Sequence, residues 1–363
     1  MELEAVLAQR LATQGLTGRA ITAAADDVAA VVRHLLAVQA QDAPLARWSL
    51  AMRTGRPGDE HIRATLDSGA VVRTHVLRPT WHYVAADDIR WLLALTSPKV
   101  LSGMAARRRA LGLDDPAVAR REIDRILALL THGPATRRAL QRRLDSDDLR
   151  GERLGHVLGI AELEGLICSG PLLQGQHTYV PLDDVVPPSR ALDRDEGVRA
   201  LVARFFRGHG PASVAHLVRW TTVTRREVVA ALDDLGDGLA AVEIDGEPHW
   251  SAADASDAPG RRDGAFLLPV FDEAYLPYPG SNFRRSSGHP WGERSHAFAE
   301  AGGGVVISDL QDVGWWKRTE AGRSTRVSLG LDPALQPRRR RAIEAEAGSL
   351  AAHTGRSLEV VVH

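Results

Sequence analysis

Apolar residues recur at helical spacing in several stretches of the chain, and two of these stretches end in nearly the same phrase. His132-Gly133-Pro134-Ala135-Thr136 follows one of them, and His209-Gly210-Pro211-Ala212-Ser213 follows another. Each phrase precedes two more helical stretches and then two alternating, strand-like segments that turn at glycines. A helix, a Gly-Pro turn, two helices and a hairpin in this order predict a winged helix, and their repetition predicts tandem units.

The N-terminal part of the chain predicts another copy of this unit. A helix that begins near Asp26-Asp27 carries an apolar stripe and is expected to continue to Pro44, because the residue before a proline avoids helical backbone angles. Alternation over residues 71–84 predicts the hairpin of the unit, with Arg78-Pro79 as an interruption.

Strand-like segments predominate after Phe266, and one charged helix is predicted between the last two of them. The predicted fold class is therefore α+β, with three tandem winged-helix units followed by a strand-rich part. The predicted boundaries are residues 1–113, 114–188 and 189–258 for the winged-helix units and residues 259–363 for the strand-rich α/β part.

The apolar stripe of the N-terminal helix continues at helical spacing to Gln39. A buried amide is costly unless it is hydrogen-bonded, so Gln39 is expected either to have partners or to face a polar cleft. Gln41 follows two positions later, and a helix that frays before Pro44 would let both amides hold one water between their donors and acceptors. The alternative is a polar helix end without a functional role, and the pattern alone favours this alternative.

The order of several phrases resembles the winged-helix DNA glycosylases of the AlkZ type, the azinomycin-resistance glycosylases. That family is known for a glutamine–apolar–glutamine motif, which Gln39-Ala40-Gln41 matches, whereas a sister branch has aspartate at the second polar position. The resembling phrases span nearly the whole chain and are residues 34–41, residues 78–82, the two Gly-Pro turns, residues 268–273 and residues 314–318.

The resemblance implies a C-shaped arrangement of the three units around double-stranded DNA. It also implies hydrolysis of the N-glycosidic bond of cationic N7-alkylated purines, crosslinked ones included, in DNA repair or in self-resistance to a genotoxin. Gln39 and Gln41 would be the catalytic residues and would dock the water that attacks C1′. Neutral amides suit a reaction that is driven by departure of a good leaving group, and no cofactor is implied.

The resembling phrases hold further candidate residues. His82 and Trp81 are candidates for lining the cleft beside the glutamines, although a tryptophan is more often part of a core. Asp272 is a further cleft candidate, but a structural hydrogen-bonding role for it and for Glu273 is at least as much expected. The candidates for contacts to DNA are Arg284, Arg285, Lys317 and Arg318.

Composition and charge limit these interpretations. The 363 residues carry a formal net charge of −1, so a DNA-binding surface requires that basic residues be segregated onto one side. Lys99 and Lys317 are the only lysines. A glycosylase that also cleaves the DNA backbone needs an amine for a Schiff base, and neither lysine is near the glutamines in sequence. We therefore expect a monofunctional enzyme that leaves an abasic site.

Other classes of protein receive little support. The single cysteine, Cys168, excludes an internal disulfide, and the 14 histidines lack metal-ligand spacing, so no metal site is expected. The sequence contains no apolar run long enough to span a membrane and no signal peptide, which predicts a cytoplasmic protein, expected to be a monomer. Two alternatives stay open: a non-catalytic winged-helix transcriptional regulator, and a scaffold that binds protein through the same units.

Overall fold

The computed structural model describes residues 2–17, 21, 27–55, 58–144, 148–255, 263–279, 282–290, 302–321 and 324–363. The helices of these residues are α1 Leu3–Thr13, α2 Val28–Leu35, α3 Ala43–Arg53, α4 Asp59–Asp67, α5 Ala86–Gly103, α6 Ala105–Ala110, α7 Pro116–Leu130, α8 Arg137–Leu144, α9 Gly151–Leu163, α10 Arg194–His209, α11 Val214–Trp220, α12 Arg225–Leu235 and α13 Pro337–Thr354.

The strands form four sheets within the described residues. They are β1 Val38–Gln39, β2 Val71–Val76, β3 Arg78–Ala85, β4 Ala135–Thr136, β5 Ile167–Leu173, β6 Gln176–Pro181, β7 Leu239–Ile244, β8 Glu247–Ala252, β9 Ala265–Pro269, β10 Arg284–Arg285, β11 Gly303–Ser308, β12 Gln311–Ala321, β13 Ser324–Leu331 and β14 Ser357–Val362. Helices and sheets therefore mix along the chain, as the α+β prediction requires.

One order of elements occurs three times. A helix is followed by a short extended segment, two further helices and a hairpin, in the sets α2–β1–α3–α4–β2–β3, α7–β4–α8–α9–β5–β6 and α10–α11–α12–β7–β8. In each set the short segment pairs with the second strand of the hairpin. Val38 lies opposite Tyr83, Ala135 lies opposite Tyr179, and in the third set an isolated bridge joins Ala212 to Trp250.

The N-terminal helix α2 is shorter than the sequence pattern predicts. The side chain of Asp27 accepts a hydrogen bond from the backbone N–H of Ala30 at 2.8 Å and caps the start of α2. The helix ends at Leu35, because Leu36 has a φ of 67°. The predicted continuation to Pro44 is therefore wrong: Pro44 lies in the first turn of α3, where its missing N–H costs no helical hydrogen bond.

The first hairpin also differs from its prediction at one point. Arg78-Pro79 does not interrupt it but begins β3, and the chain turns at Leu77, which has a φ of 64°. The sequence analysis also placed no element over α5, an 18-residue helix with Pro98 inside it. The other predicted helices and strands of the described residues are present, with shifts of a few residues at their ends.

The strand-rich C-terminal part is a single twisted sheet in the order β14-β13-β12-β11-β9, with β10 paired to β12. Helix α13 covers one face of it through Ile343, Ala347 and Leu350. The same hydrophobic cluster includes the buried faces of α1, α2 and α3, and the indole N–H of Trp48 on α3 donates to the backbone oxygen of Leu267 on β9 at 2.9 Å. The C-terminal sheet therefore supports the N-terminal repeat directly.

Two further clusters complete the interior. One joins α5 and the first hairpin to the third repeat and includes Phe205, Phe206 and Trp220, and the other fills the second repeat. The helices of the described residues include none with the length and apolar character needed to cross a membrane. Asp26 of the predicted first-unit helix and the predicted boundary at residues 258–259 lie outside the described residues.

Candidate nucleic-acid processing site

Gln39 is held at the point where the N-terminal repeat meets the C-terminal sheet. It lies on β1, directly opposite His82 of β3, and is 7% exposed. Its backbone N–H donates to Oε1 of Glu273 at 2.9 Å. Its side chain lines a narrow pocket between α3 and the end of β9, together with Asp42, Ser49 and Asp272, among other residues. The predicted helical position of Gln39 is therefore wrong, but its expected partial burial beside polar groups is correct.

Gln41 lies in the bend that follows β1. The backbone N–H of Ala40 donates to the oxygen of Trp81 at 2.7 Å, and the oxygen of Ala40 accepts from Nε of Arg73 at 3.0 Å. The chain bends at Gln41 and Asp42, between the end of β1 and the start of α3. Gln41 is exposed, and no described residue is a hydrogen-bond partner of its amide. The two glutamines therefore lie on a short strand and in the bend after it, and not at the frayed end of a helix.

The N-terminal repeat departs from the other two at this segment. In the second repeat α8 begins at Arg137, directly after β4, and in the third α11 begins at Val214, directly after Ser213. In the first repeat α3 begins only at Ala43, and Asp42 caps it by accepting from the N–H of Leu45 at 3.1 Å. The residues between β1 and α3 that have no counterpart in the other repeats include Gln41. Sequence reasoning missed this signal, although an alignment of the three repeats would have found it.

Arg78 contacts the amide of Gln39 directly. Its Nη2 lies 3.2 Å from Oε1 of Gln39. Burial lowers the pKa of Arg78, and the nearby Glu273 carboxylate opposes this by raising the pKa, so the guanidinium remains a cation. The sequence analysis treated Arg78 as a break in a strand and as part of a resembling phrase, but assigned no contact to it.

His82 lies against Gln39 but is fully buried. Burial, and then the charge of Arg78, lower the pKa of His82 to about 3, so the ring is neutral at ordinary pH. Its Nδ1 lies 3.0 Å from the oxygen of Thr80, which can only accept, so Nδ1 carries the proton. The unprotonated Nε2 is buried and has no hydrogen-bond partner among the described residues. His82 therefore packs behind Gln39 as a neutral ring.

Glu273 is a buried carboxylate that joins three parts of the fold. In addition to the N–H of Gln39, it accepts from Nε1 of Trp220 at 2.8 Å, and its Oε2 lies 3.3 Å from Nε2 of His209. Burial alone would raise the pKa of Glu273, but the contact with His209 and the N–H of Gln39 outweigh it, and the pKa lies below its ordinary value. An ionised carboxylate therefore lies directly behind the glutamine motif.

Asp272, next to Glu273, is 1% exposed, and its carboxylate accepts hydrogen bonds from several neighbouring groups. Arg53 binds it through two hydrogen bonds of 2.7 and 3.0 Å, Ser49 donates to it at 2.6 Å, and the N–H of Ala274 donates at 2.8 Å. The guanidinium of Arg53 also donates to Oε1 of Gln14 at 2.9 Å. This geometry supports the structural role considered for Asp272 in the sequence analysis, and Asp272 also lines the pocket beside Gln39.

Trp81 faces the second repeat. Its indole N–H donates to Oε1 of Glu162 on α9 at 3.0 Å, its ring lies 4.3 Å from that of His75, and the guanidinium of Arg73 lies 4.5 Å from the ring centre. Nδ1 of His75 also lies 2.5 Å from Glu162. Arg73 also donates a hydrogen bond to the backbone oxygen of Ala40. This cluster therefore connects the segment of Gln39 and Gln41 to the second repeat.

The predicted DNA-contacting residues lie on the C-terminal sheet. Arg284 and Arg285 are exposed on β10, and Arg285 lies 3.8 Å from the carboxylate of Asp312. Lys317 and Arg318 lie on β12, where Arg318 is 3.6 Å from Glu320. Because side chains alternate along a strand, Lys317 and Arg318 point to opposite faces of the sheet. These four residues belong to a different sheet from Gln39, whose strand pairs with the first hairpin.

A second group of basic residues was not singled out from the sequence. Helix α8 has arginines at positions 137, 138, 142 and 143, all of them on its solvent-facing side or at its edges. No described acidic residue forms an ion pair with the last three of these arginines, which are Arg138, Arg142 and Arg143. Within the described residues these three charges have no acidic partner, which makes them candidates for contacts to an anionic partner. Within the described ranges, no group of three or more His, Cys, Asp or Glu side chains is arranged to hold a metal ion.

Comparisons with known proteins identify the class of protein to which this fold and site belong, the DNA glycosylases. A family described as "DNA glycosylase AlkZ-like" matches residues 32–353. The chain is 25% identical over 335 residues to the "Interstrand DNA cross-link repair glycosylase" of Streptomyces sahachiroi, with 86% of each chain covered. It also superposes on the solved structure of "Streptomyces sahachiroi DNA glycosylase AlkZ" with a TM-score of 0.76 and 22% identity, and all of both chains is covered. This chain belongs to the AlkZ-like DNA glycosylase family.

Proposed function

We propose that this protein hydrolyses the N-glycosidic bond of N7-alkylated purines in double-stranded DNA, interstrand crosslinks included, with Gln39 and Gln41 as the residues that dock the water. The observation that carries the proposal is the segment between β1 and α3. It departs from the two other repeats, it holds Gln39 and Gln41 only two positions apart, and its backbone is anchored by Arg73 and Glu273. Repeated scaffolds depart from their own pattern mainly where function requires it.

We infer that the three repeats are tandem winged helices and that they bind the duplex. The order of helix, short strand, helix, helix and hairpin supports this assignment in each repeat. The units would cover residues 1–113, 114–188 and 189–258, with the C-terminal α/β part over 259–363. The arginines of α8 and the candidates Arg284, Arg285, Lys317 and Arg318 would supply cations for the phosphates. A monomer suffices for this reaction.

The reaction needs little acid catalysis. An N7-alkylated purine carries a positive charge, so when the bond from C1′ to the purine nitrogen breaks, its electron pair moves onto the base and the base leaves neutral. The sugar becomes an oxocarbenium ion, to which the water oxygen adds at C1′. One water proton passes to the solvent, and the product is an abasic site. The protein's task is to position the water and to stabilise the positive sugar, and amides that do not titrate suit that task.

The buried carboxylate behind Gln39 supports this chemistry. The carboxylate of Glu273 is ionised, lies behind the backbone of Gln39, and favours positive charge on the side where the substrate sugar would lie. His82, with a pKa of about 3, is not available as a general acid at ordinary pH. Hydrolysis would therefore depend on the two amides, and not on the paired carboxylates of ordinary glycoside hydrolysis.

The experiment measures release of 7-methylguanine from methylated duplex DNA under single-turnover conditions. Gln39→Ala and Gln41→Ala are each expected to slow release by about 100- to 1000-fold with DNA binding retained, which is the range for loss of one preorganised hydrogen-bonding group. Gln336→Ala is the matched control, because Gln336 is exposed and its side chain does not cap α13. If wild type released no purine from methylated or crosslinked DNA but bound one DNA sequence selectively, the protein would be a transcriptional regulator.

A further inference from the structure

We propose that Arg78 is a positioning residue that fixes the orientation of the Gln39 amide, so that Gln39 donates a hydrogen bond to the attacking water and Gln41 accepts one from it. This inference rests on the proposed function and assigns separate roles to the two glutamines. It follows from the contact of 3.2 Å between Nη2 of Arg78 and the side chain of Gln39.

The contact determines which end of the amide faces the guanidinium. An arginine has five donors and no acceptor, so the atom of Gln39 that faces it must be the carbonyl oxygen. The flipped amide would set its NH₂ group against a cation and lose the hydrogen bond. Amide orientation is normally assigned from such a network, and here a single cationic partner decides it.

Arg78 has few competing partners. Among the described residues, Oε1 of Gln39 is the one hydrogen-bond acceptor of its guanidinium, and its Nε is buried without a partner. Its position is restricted by its neighbours: the hairpin turns at Leu77 immediately before it, and Pro79 follows it with a fixed φ. Arg78 is half-buried, and its one described hydrogen bond goes to the amide of Gln39. We therefore assign it to the positioning of that amide and not to the stability of the fold.

The fixed orientation leaves the NH₂ group of Gln39 for the substrate side. No described residue accepts from Nε2 of Gln39. A water that accepts one of these N–H groups keeps its second lone pair for C1′, and one of its own O–H groups can then donate to the carbonyl oxygen of Gln41. As the bond from the water oxygen to C1′ forms, the proton on the Gln41 side passes to bulk solvent, which the exposed Gln41 borders. Neither amide takes up a proton.

A double-mutant cycle in single-turnover base release tests the role of Arg78. Arg78→Met is expected to slow release of 7-methylguanine by about tenfold, because the Gln39 side chain loses the charge-assisted hydrogen bond that holds both its amide orientation and its rotamer. Arg78→Lys keeps a donor and is expected to stay within about threefold of wild type. In a Gln39→Ala background, Arg78→Met should have less than about a twofold further effect, since an arginine that acts through Gln39 has nothing left to position.

The control for charge is Arg219→Met. The charge of Arg219 lowers the pKa of Arg78, but Arg219 makes no hydrogen bond to Gln39 among the described residues. Release by this variant should equal that of wild type. Thermal unfolding of every variant is measured in parallel, so that a folding defect in Arg78→Met is separated from a defect in positioning, with Arg78→Lys as the folded comparison.

A second pair of variants tests the donor and acceptor roles themselves. Glutamate keeps the side-chain oxygen of glutamine in place but has no N–H when ionised. Gln39→Glu should therefore be as slow as Gln39→Ala, whereas Gln41→Glu should stay within about tenfold of wild type because an acceptor remains. An active Gln39→Glu with an inactive Gln41→Glu would overturn the assignment.

Failure of the inference is distinguishable from failure of the proposed function. If Gln39→Ala releases purine as fast as wild type, the water-docking function itself is wrong. Suppose instead that Gln39→Ala is slow. If the rate losses of Gln39→Ala and Arg78→Met then multiply in the double variant, or if Arg78→Met alone has no effect on the rate, Arg78 is not a positioning residue for Gln39. A weaker dissociation constant and a smaller salt dependence for Arg78→Met would then show that Arg78 contacts a phosphate instead.

Discussion

The carboxylate of Glu273 accepts a hydrogen bond of 2.9 Å from the backbone N–H of Gln39, although 234 positions separate the two residues. The same carboxylate accepts from the indole of Trp220 in the third repeat. The first repeat, the third repeat and the C-terminal part therefore meet at the backbone of the glutamine motif. The position of Gln39 depends on tertiary structure from distant parts of the chain, and not on the local preference of a two-residue strand.

Glu273→Gln tests this dependence. The amide has only one acceptor oxygen, and its NH₂ group would face either the N–H of Gln39 or the indole N–H of Trp220. We expect the free energy of unfolding to fall by about 3 kcal/mol, the scale for a buried network that loses a charged member. Base release should slow while DNA binding is retained. Urea unfolding measures the first effect, with Glu359→Gln as a control from an exposed pair with Arg326. Equal free energies of unfolding for Glu273→Gln and Glu359→Gln would contradict the prediction.

The dependence of stability on pH follows from two buried histidines, His82 and His216, and the half-buried His177. Burial is the main cause that lowers the pKa of His82, His177 and His216 to about 3 in the folded protein, whereas the unfolded chain has the ordinary value near 6.5. Between these two values the unfolded state binds protons that the folded state does not bind. Stability is therefore full above about pH 6.5 and decreases as the pH falls toward 3, by about 1.4 kcal/mol per pH unit for each histidine.

Urea unfolding at about pH 7, 6 and 5 measures this slope. The range stays above the region in which Glu273, with its lowered pKa, would contribute, because that contribution is lost only below the ordinary value of a glutamate. His82→Gln should reduce the slope by the share of one histidine, whatever its effect on stability at neutral pH. A slope that is unchanged in this variant would mean that His82 is not buried as a neutral ring.

The fold could be predicted from the sequence where local chemistry determines it. The hairpin at Asp245-Gly246 has turn residues that adopt positive φ, and Asp27 is a helix cap whose side chain bonds the first turn. The end of α2 could not be predicted in this way, because Leu36 has a positive φ that only the surrounding packing imposes. The apolar stripe beyond Leu35 is real, but it continues along an extended chain rather than a helix.

The candidate site could be predicted only in part, for a related reason. Gln39 and Gln41 stand out within a short stretch of sequence, whereas their supports come from far along the chain. Arg78 reaches Gln39 across a strand pair, and Glu273 comes from the C-terminal part. Single-sequence patterns contain local periodicity but no information on such pairings, so the residues that orient the motif were not assigned from the sequence.

The arginines of α8 lead to a prediction about DNA binding. The described residues offer no ion-pair partner to Arg138, Arg142 or Arg143, whereas two of the predicted DNA-contacting arginines, Arg285 and Arg318, lie 3.8 and 3.6 Å from acidic side chains. Replacing the three α8 arginines by glutamine should weaken binding to duplex DNA of any sequence. The slope of log K against log salt should fall by up to about 0.9 for each phosphate that the variant no longer neutralises.

Fluorescence anisotropy over a range of salt concentrations measures this slope. Arg326→Gln is a suitable control, since Arg326 already pairs with Glu359 at 2.9 Å and removal of its charge should change the slope little. Single-turnover release at saturating enzyme should be unchanged in the α8 variant, because α8 acts on binding and not on the water. An unchanged slope in the α8 variant would exclude this helix from the DNA interface.

The two lysines lead to a prediction about the product. Lys99 is exposed on α5, and Lys317 lies on the C-terminal sheet, and neither has a described contact with Gln39 or Gln41. Cleavage of the DNA backbone by a glycosylase requires an amine that forms a Schiff base with the opened sugar. We therefore expect an intact strand with an abasic site, and no covalent protein–DNA adduct when borohydride is added during turnover. The double variant Lys99→Arg with Lys317→Arg should release base at the wild-type rate. A trapped adduct that disappears in Lys317→Arg would instead show that the sheet reaches the reacting sugar and that the enzyme is also a lyase.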